Sequence, residues 1–230
     1  MNTLAYTKQI KQFTCFEDWF AAPFSGCVNA HVWERELAGD FEEIIQQLNP
    51  AENICEVAIE ALVALPLSDA GARARAHVIA DVNRLQKEGA VPTLNIIKCY
   101  DRDEVFPFFP TDVYSFHVDY SPLALPTILC TYYGKPSEIL AQEDAQQKVL
   151  IPEIREALFK LYNGPAEGFE VFLVEHFFNL HYQVKQGAKP VSLGLANMWS
   201  LAVASPNAAY LPCIHRAPEE EGVWRLMLIC

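Results

Sequence analysis

Apolar positions in the first part of the chain recur at helical spacing. Phe41, Ile44, Ile45 and Leu48 fall at i, i+3, i+4 and i+7, one face of a helix. Asp40, with Glu43 three residues on, is a capping-box signature, and Asn49-Pro50 is a stop signal. Residues 53–65 are a second apolar-rich segment that predicts a helix ended by Pro66. Residues 69–87 predict a third, with Ala74, Val78, Val82 and Leu85 on its buried stripe and Gly89 closing it. Trp33 and Arg35 precede these helices in an apolar stretch that reads as a short strand or an anchor.

After Pro92 the pattern changes. Aromatic and β-branched runs predict strands at 93–100, 113–119, 127–133, 170–178, 191–203, 210–215 and 223–230. A helix at 152–162 interrupts them and stops at Asn163-Gly-Pro165. Regular short strands between Pro, Gly and Asn signals predict a sandwich or barrel. The expected class is therefore α+β, with residues 1–92 a helical N-terminal extension packed on a barrel core at 93–230. The loop at 101–110, carrying Phe106, Phe108 and Phe109, reads as a packed apolar connection, with a lid as the alternative.

Composition narrows the function classes. With 51% hydrophobic and 20% charged residues in a chain of 230, a folded globular protein with a substantial core is expected. A formal charge of −12 argues against nucleic acid or an anionic membrane as partner, because both need a basic surface. The first residues lack a secretory apolar run, and no stretch reaches the length of a membrane span. Seven cysteines, an odd number without Cys-x-x-Cys, suit reduced thiols. A cytoplasmic protein acting on a small molecule or a protein side chain is the expectation. Nothing in the sequence sets an oligomeric state.

The candidate chemistry centres on the segment Tyr114-Ser-Phe-His-Val-Asp-Tyr120. Residues two apart on a strand share a face, so His117 and Asp119 project together while Val118 faces the other way. An imidazole beside a carboxylate makes two thirds of the two-His-one-carboxylate facial triad that holds non-heme Fe(II). Six histidines and 29 acidic residues give about 0.8 His-x-Asp/Glu matches by chance, so the setting has to carry weight. His215, just before a terminal strand, is the candidate third ligand. Arg225, ten residues further on, suits a bidentate clamp on a carboxylate.

The order His-x-Asp, a long insert, His and then Arg resembles the 2-oxoglutarate- and Fe(II)-dependent oxygenases over roughly residues 93–230. That resemblance implies a double-stranded β-helix, a jelly-roll or cupin-like barrel, under the N-terminal helical layer. It implies Fe(II) on His117, Asp119 and His215, and 2-oxoglutarate with its distal carboxylate on Arg225. A hydroxyl from Thr127 or Tyr132 is expected to assist, since the segment 127–133 is similar to the family strand lining the co-substrate pocket. The chain departs from the family pattern at Met227, where many members carry Ser or Thr, and at Pro126. Val32-Trp-Glu-Arg35, Phe116-His-Val-Asp-Tyr120, Thr131-Tyr-Tyr-Gly134 and His215-Arg-Ala-Pro218 are also similar to an uncharacterised bacterial domain family, which implies no activity.

Plainer readings compete. His117 and Asp119 can be a buried structural pair, and Arg225 a structural ion pair. Cys130 and Cys213 read as small buried hydrophobes. His176 and His181, with Glu175, read as core or rim histidines before they read as a second metal site, and His31 and His77 look ordinary. Arg216 falls on the face opposite His215. No Gly-x-Ser-x-Gly elbow, phosphate loop or His-Glu-x-x-His is present. Two alternatives to the oxygenase stay open: a cupin-like metalloenzyme without 2-oxoglutarate, and a non-catalytic binding module on the same fold.

Overall fold

The computed structural model describes residues 8–206, 208–219 and 221–230; the first seven positions, part of the N-terminal segment read above as lacking a leader, lie outside the described residues. The chain opens with β1 (Ile10–Phe13), α1 (Phe16–Ala21) and β2 (Ala30–Trp33). Next come α2 (Phe41–Leu48), β3 (Ile54–Glu56), α3 (Ile59–Val63) and α4 (Asp69–Lys87). The strands β4 (Thr93–Ile97), β5 (Phe116–His117), β6 (Thr127–Tyr133), β7 (Glu138–Leu140) and β8 (Ala145–Gln147) follow. Two helices, α5 (Pro152–Tyr162) and α6 (Phe169–Glu175), precede β9 (His181–Val184) and β10 (Val191–Ser192). The chain ends with β11 (Met198–Leu201), β12 (Ile214–Arg216) and β13 (Arg225–Ile229).

The helical signals act locally as their chemistry requires. The Asp40 side chain accepts from the Glu43 backbone N–H at 3.0 Å, and Asn49 closes α2 in the left-handed region at φ 44°. Glu43 does not complete the box by reaching back. Its carboxylate instead accepts from the Ser68 backbone and hydroxyl at 2.7 and 2.6 Å, joining α2 to the start of α4. Ala74, Val78, Val82 and Leu85 are all buried, so the stripe on α4 faces the core. That stripe, with α1 and α2, packs on Leu94, Ile96, Ile128, Cys130, Tyr132, Leu226 and Leu228 of the larger sheet.

That sheet runs β1-β2-β11-β6-β13-β4-β3 and is antiparallel except between β1 and β2. The smaller sheet runs β10-β7-β12-β5-β9-β8, antiparallel throughout. From β4 onward the chain passes back and forth between the two. β4, β6, β11 and β13 are neighbours in one, while β5, β7, β10 and β12 are neighbours in the other. A second apolar cluster, including Leu129, Ile139, Trp199, Cys213 and Met227, joins residues of both sheets. Strands lie on both sides of residue 92, because β1, β2 and β3 extend the larger sheet at its two edges.

Several segments differ from the sequence expectation; the strand expected at 113–119 shortens to β5, with Asp119 just beyond it, and that at 210–215 to β12. Residues 170–178 were expected as a strand and instead form most of α6, because Phe169, Phe172 and Leu173 fall at i, i+3 and i+4 and pack into a separate cluster with Phe109, Leu158 and Phe178. Residues 53–65, expected as one helix, divide into β3, which pairs with the edge of β4, and the short α3. Residues 191–203 divide into β10 and β11 across a turn in which Gly194 and Ala196 have positive φ. The loop at 101–110 is largely packed: Phe109 is fully buried and Phe106 lies against the same cluster, while Phe108 remains exposed. No helix among the described residues is long and apolar enough to cross a membrane.

Candidate metal centre

The pleat of the smaller sheet builds the centre. Phe116 and Val118 turn outward to pack with Leu140 and Ile214, so His117 and Asp119 turn inward. His215 on β12 pairs directly with His117 on β5, and their ring centroids lie 4.6 Å apart. His117, Asp119 and His215 each offer a ligand atom, all within 4.8 Å of one another; this is the cluster of potential metal ligands found among the described residues. Arg216, one residue on, points away to Glu138 at 2.8 Å and over the Phe116 ring, as its parity requires.

The other ring nitrogen decides what each histidine can do. His117 Nδ1 lies 2.8 Å from the Ser115 carbonyl and His215 Nδ1 lies 3.3 Å from the Cys213 carbonyl. A carbonyl only accepts, so Nδ1 carries the proton and Nε2 presents a lone pair. His117 Nε2 is 3.6 Å from one Asp119 oxygen and His215 Nε2 is 3.5 Å from the other. Burial above all, and then His215, lowers the His117 pKa to about 4, so this imidazole is neutral at pH 7. Burial alone would raise the Asp119 carboxyl. His215, the Thr127 hydroxyl that donates to Asp119 Oδ2, and His117 together outweigh it, and the net direction is down. Two imidazole nitrogens and a carboxylate thus face one point, an arrangement a cation would satisfy.

A cavity of about 220 Å³ opens from the triad between the sheets, lined also by Tyr100, Thr127, Leu129, Ser137 and Met227. Arg225 lies beyond Ser137. It is 6% exposed, donates from Nη2 to Ser137 Oγ at 3.2 Å and is hydrogen-bonded to the Tyr100 hydroxyl. Its Nε is buried without a partner, and no described carboxylate lies within ion-pair distance of it. Burial lowers its pKa, with Tyr100 opposing. A buried guanidinium without a counter-charge is costly, and the structural ion pair considered above is not formed.

The other expected site residues divide by strand parity. Thr127 and Tyr132 are five apart on β6, so they face opposite ways. Thr127 faces the triad. Tyr132 faces the helices, where its hydroxyl donates to Asp81 at 2.8 Å, and the expectation that it helps hold a co-substrate is corrected. Asp81 is also gripped by both Arg35 terminal nitrogens and by Arg84, which makes Arg35 the anchor its position suggested. Cys130 and Cys213 are buried, and burial pushes the Cys130 thiol up to about 12 and Cys213 higher still, so neither is a thiolate at neutral pH.

Sequence reasoning missed Tyr100 and Ser137. Tyr100 closes a predicted strand and Ser137 follows Pro136 in a turn, positions without a chemical signal of their own. It also treated His181 as an ordinary rim or core histidine. The structure pairs His181 directly with His117 across β5 and β9, so His215, His117 and His181 stand in a row on adjacent strands. His176 is elsewhere, with Nδ1 on the Phe172 carbonyl, and no second metal site forms around Glu175 among the described residues.

No family model matches the chain, and no curated protein matches it in sequence. Among solved structures it is similar to the apo form of the Kdo hydroxylase KdoO, described as a non-heme Fe(II) alphaketoglutarate dependent dioxygenase, at 11% identity and a TM-score of 0.42, covering 96% of this chain and 88% of that one. The same enzyme in complex with alphaketoglutarate and Fe(III) aligns at 13% identity and a TM-score of 0.41 over the same shares. Likeness at this level leaves fold and chemistry to rest on the chain's own residues.

Proposed function

We propose that the protein is a non-heme Fe(II)- and 2-oxoglutarate-dependent oxygenase of a small-molecule or protein side-chain substrate, with a double-stranded β-helix as its core. The order of strands β11-β6-β13-β4 over β10-β7-β12-β5, with the chain passing between sheets, supports that core at 93–230. Residues 1–92 then extend the larger sheet and cover its outer face. The observation that carries the reading is that the triad's cavity is lined by Ser137 and Tyr100, the two residues hydrogen-bonded to a buried Arg225 that has no counter-charge among the described residues.

In this reading His117, Asp119 and His215 would hold the metal, each offering one ligand atom. Bound Fe(II) would let O2 serve as the four-electron oxidant, with one oxygen atom entering the succinate formed as 2-oxoglutarate loses CO2 and the other entering a substrate C–H bond. The backbone carbonyls of Ser115 and Cys213 keep both Nε2 lone pairs aimed inward. Thr127 orients the Asp119 carboxylate. Arg225, with Ser137 and Tyr100 beside it, accepts the distal carboxylate and so acquires its missing counter-charge. Apolar walls at Leu129 and Met227 exclude water.

The test is an anaerobic titration of metal-free protein with Fe(II) and then 2-oxoglutarate, watching for the visible charge-transfer band of the chelate. The band is expected in the wild type and absent in His117→Ala. In Arg225→Ala the 2-oxoglutarate affinity should fall roughly thirtyfold or more. Metal binding without the band would favour a cupin-like metalloenzyme. Binding of neither ligand would leave a non-catalytic module.

A further inference from the structure

A second cavity, of about 280 Å³, touches the triad from the other side. It shares His117 and Asp119 with the first and is otherwise walled by Thr111, Tyr120, Phe177, Leu180 and His181 among others. The inner cavity is lined by Ser137 and Tyr100, the hydrogen-bond partners of Arg225. In the outer one the sole charged lining group is Asp119, already committed to the metal in the reading above. Lys148 does not line it, and its Nζ is on Ser115 Oγ at 2.7 Å and on the Pro110 carbonyl at 3.4 Å.

His181 gives this cavity a directed polar contact. It is 4% exposed, and its Nδ1 lies 3.3 Å from Ser115 Oγ. The Ser115 hydroxyl, which also accepts from the Lys148 ammonium, thus holds His181 by its Nδ1. Nε2 is the ring nitrogen left for a ligand: it has no hydrogen bond among the described residues and belongs to a side chain that lines the cavity. At the rim two large aromatic side chains stand in solvent: Tyr120 is 54% exposed and Phe177 is 59% exposed. Phe177 sits there in the left-handed region at φ 59°, a conformation a bulky residue rarely adopts.

Building on the oxygenase reading, we infer that the outer cavity is the subsite for the substrate to be oxidised, and that this substrate is uncharged, with a flat apolar body against Tyr120 and Phe177 and a polar group hydrogen-bonded to His181 Nε2. His181 is thus a binding residue, placed one strand from a metal ligand so that the bound molecule lies beside the metal. No side chain lining the outer cavity among the described residues carries a positive charge to pair with an anionic group.

The experiment uses benzamide, a neutral ring bearing a carbonyl, as probe in saturation-transfer-difference NMR on the full chain. Benzamide should bind. Its dissociation constant should rise roughly fivefold to tenfold in His181→Phe, which keeps a ring and removes the hydrogen-bonding nitrogen, and stay within about twofold in His181→Gln, whose amide can donate or accept. Tyr120→Ala, an exposed position that leaves the core untouched, should weaken it as well. Benzoate should not displace benzamide. Absent binding, binding indifferent to both His181→Phe and Tyr120→Ala, or displacement by benzoate as effective as by benzamide itself would overturn the inference. Adding Mn(II) separates this from the metal reading: bound at the triad, Mn(II) broadens the benzamide signals in the wild type and not in Asp119→Ala. Mutant-sensitive benzamide binding without that broadening would sink the metal centre and leave the subsite standing.

Discussion

His117 and His215 differ from ordinary buried histidines in where their Nδ1 protons go. Each is held by a backbone carbonyl two residues earlier, which fixes the tautomer before any metal arrives. Thr127 does the same for Asp119. Thr127→Val keeps the shape and removes the hydroxyl, so Fe(II) affinity should drop roughly tenfold to a hundredfold by calorimetry. Tyr132→Phe is the matched control on the other face of β6. It should cost about 1 kcal/mol of folding stability through its lost bond to Asp81, with metal affinity unchanged. Equal effects of the two on metal binding would contradict the division of β6 into a metal-facing and a helix-facing side.

At the scale of elements, β13 carries Arg225 and depends on the turn that ends β6. Gly134 has φ +85°, and a Cβ there would meet the Trp224 carbonyl oxygen at 2.5 Å and Arg225 Cγ at 2.9 Å. Gly134→Ala should therefore cost about 2–4 kcal/mol, from the left-handed backbone and from displacing β13. It should weaken 2-oxoglutarate binding more than Fe(II) binding, because the metal ligands belong to the smaller sheet. Denaturant midpoints and calorimetry check both parts. The elements also show how far periodicity reaches. The stripe of α4 was legible because one face of nineteen residues repeats the same signal. Residues 170–178 were not, because β-branched and aromatic composition pointed to a strand while the spacing of Phe169, Phe172 and Leu173 belonged to α6. Thr127 and Tyr132 were proposed together, although their odd separation on a strand already put one of them out of reach.

Across the whole molecule, buried histidines tie stability to pH. His31 is 1% exposed, stacked on Phe24, and both its ring nitrogens lack partners. Burial, and secondarily Lys11, lowers its pKa to about 4 from 6.5. Between those values the unfolded chain binds a proton that the folded chain does not. This contribution to stability is full above about pH 6.5 and is lost as pH falls toward 4, at up to about 1.4 kcal/mol per pH unit. His31→Phe should flatten the pH dependence of the metal-free protein by about one proton in that window, measured by urea denaturation at several pH values. An unchanged slope would mean that His31 titrates normally. The slope is the proper readout, since any packing change shifts all points together.

What the sequence determined alone is local: the cap and stripe of the helices, the inward pairing of His117 with Asp119, and the outward turn of Arg216. These follow from bond geometry and a period of two or 3.6, which act within a few residues. The tertiary structure decided everything that needs two distant segments to meet. It set His215 against His117 through a strand pair almost a hundred residues apart in sequence, left Arg225 buried without a carboxylate, sent Tyr132 to Asp81, and brought His181 into line beside the triad. No local pattern encodes such meetings. They are chosen by which strands can pair while two sheets bury their apolar faces against each other.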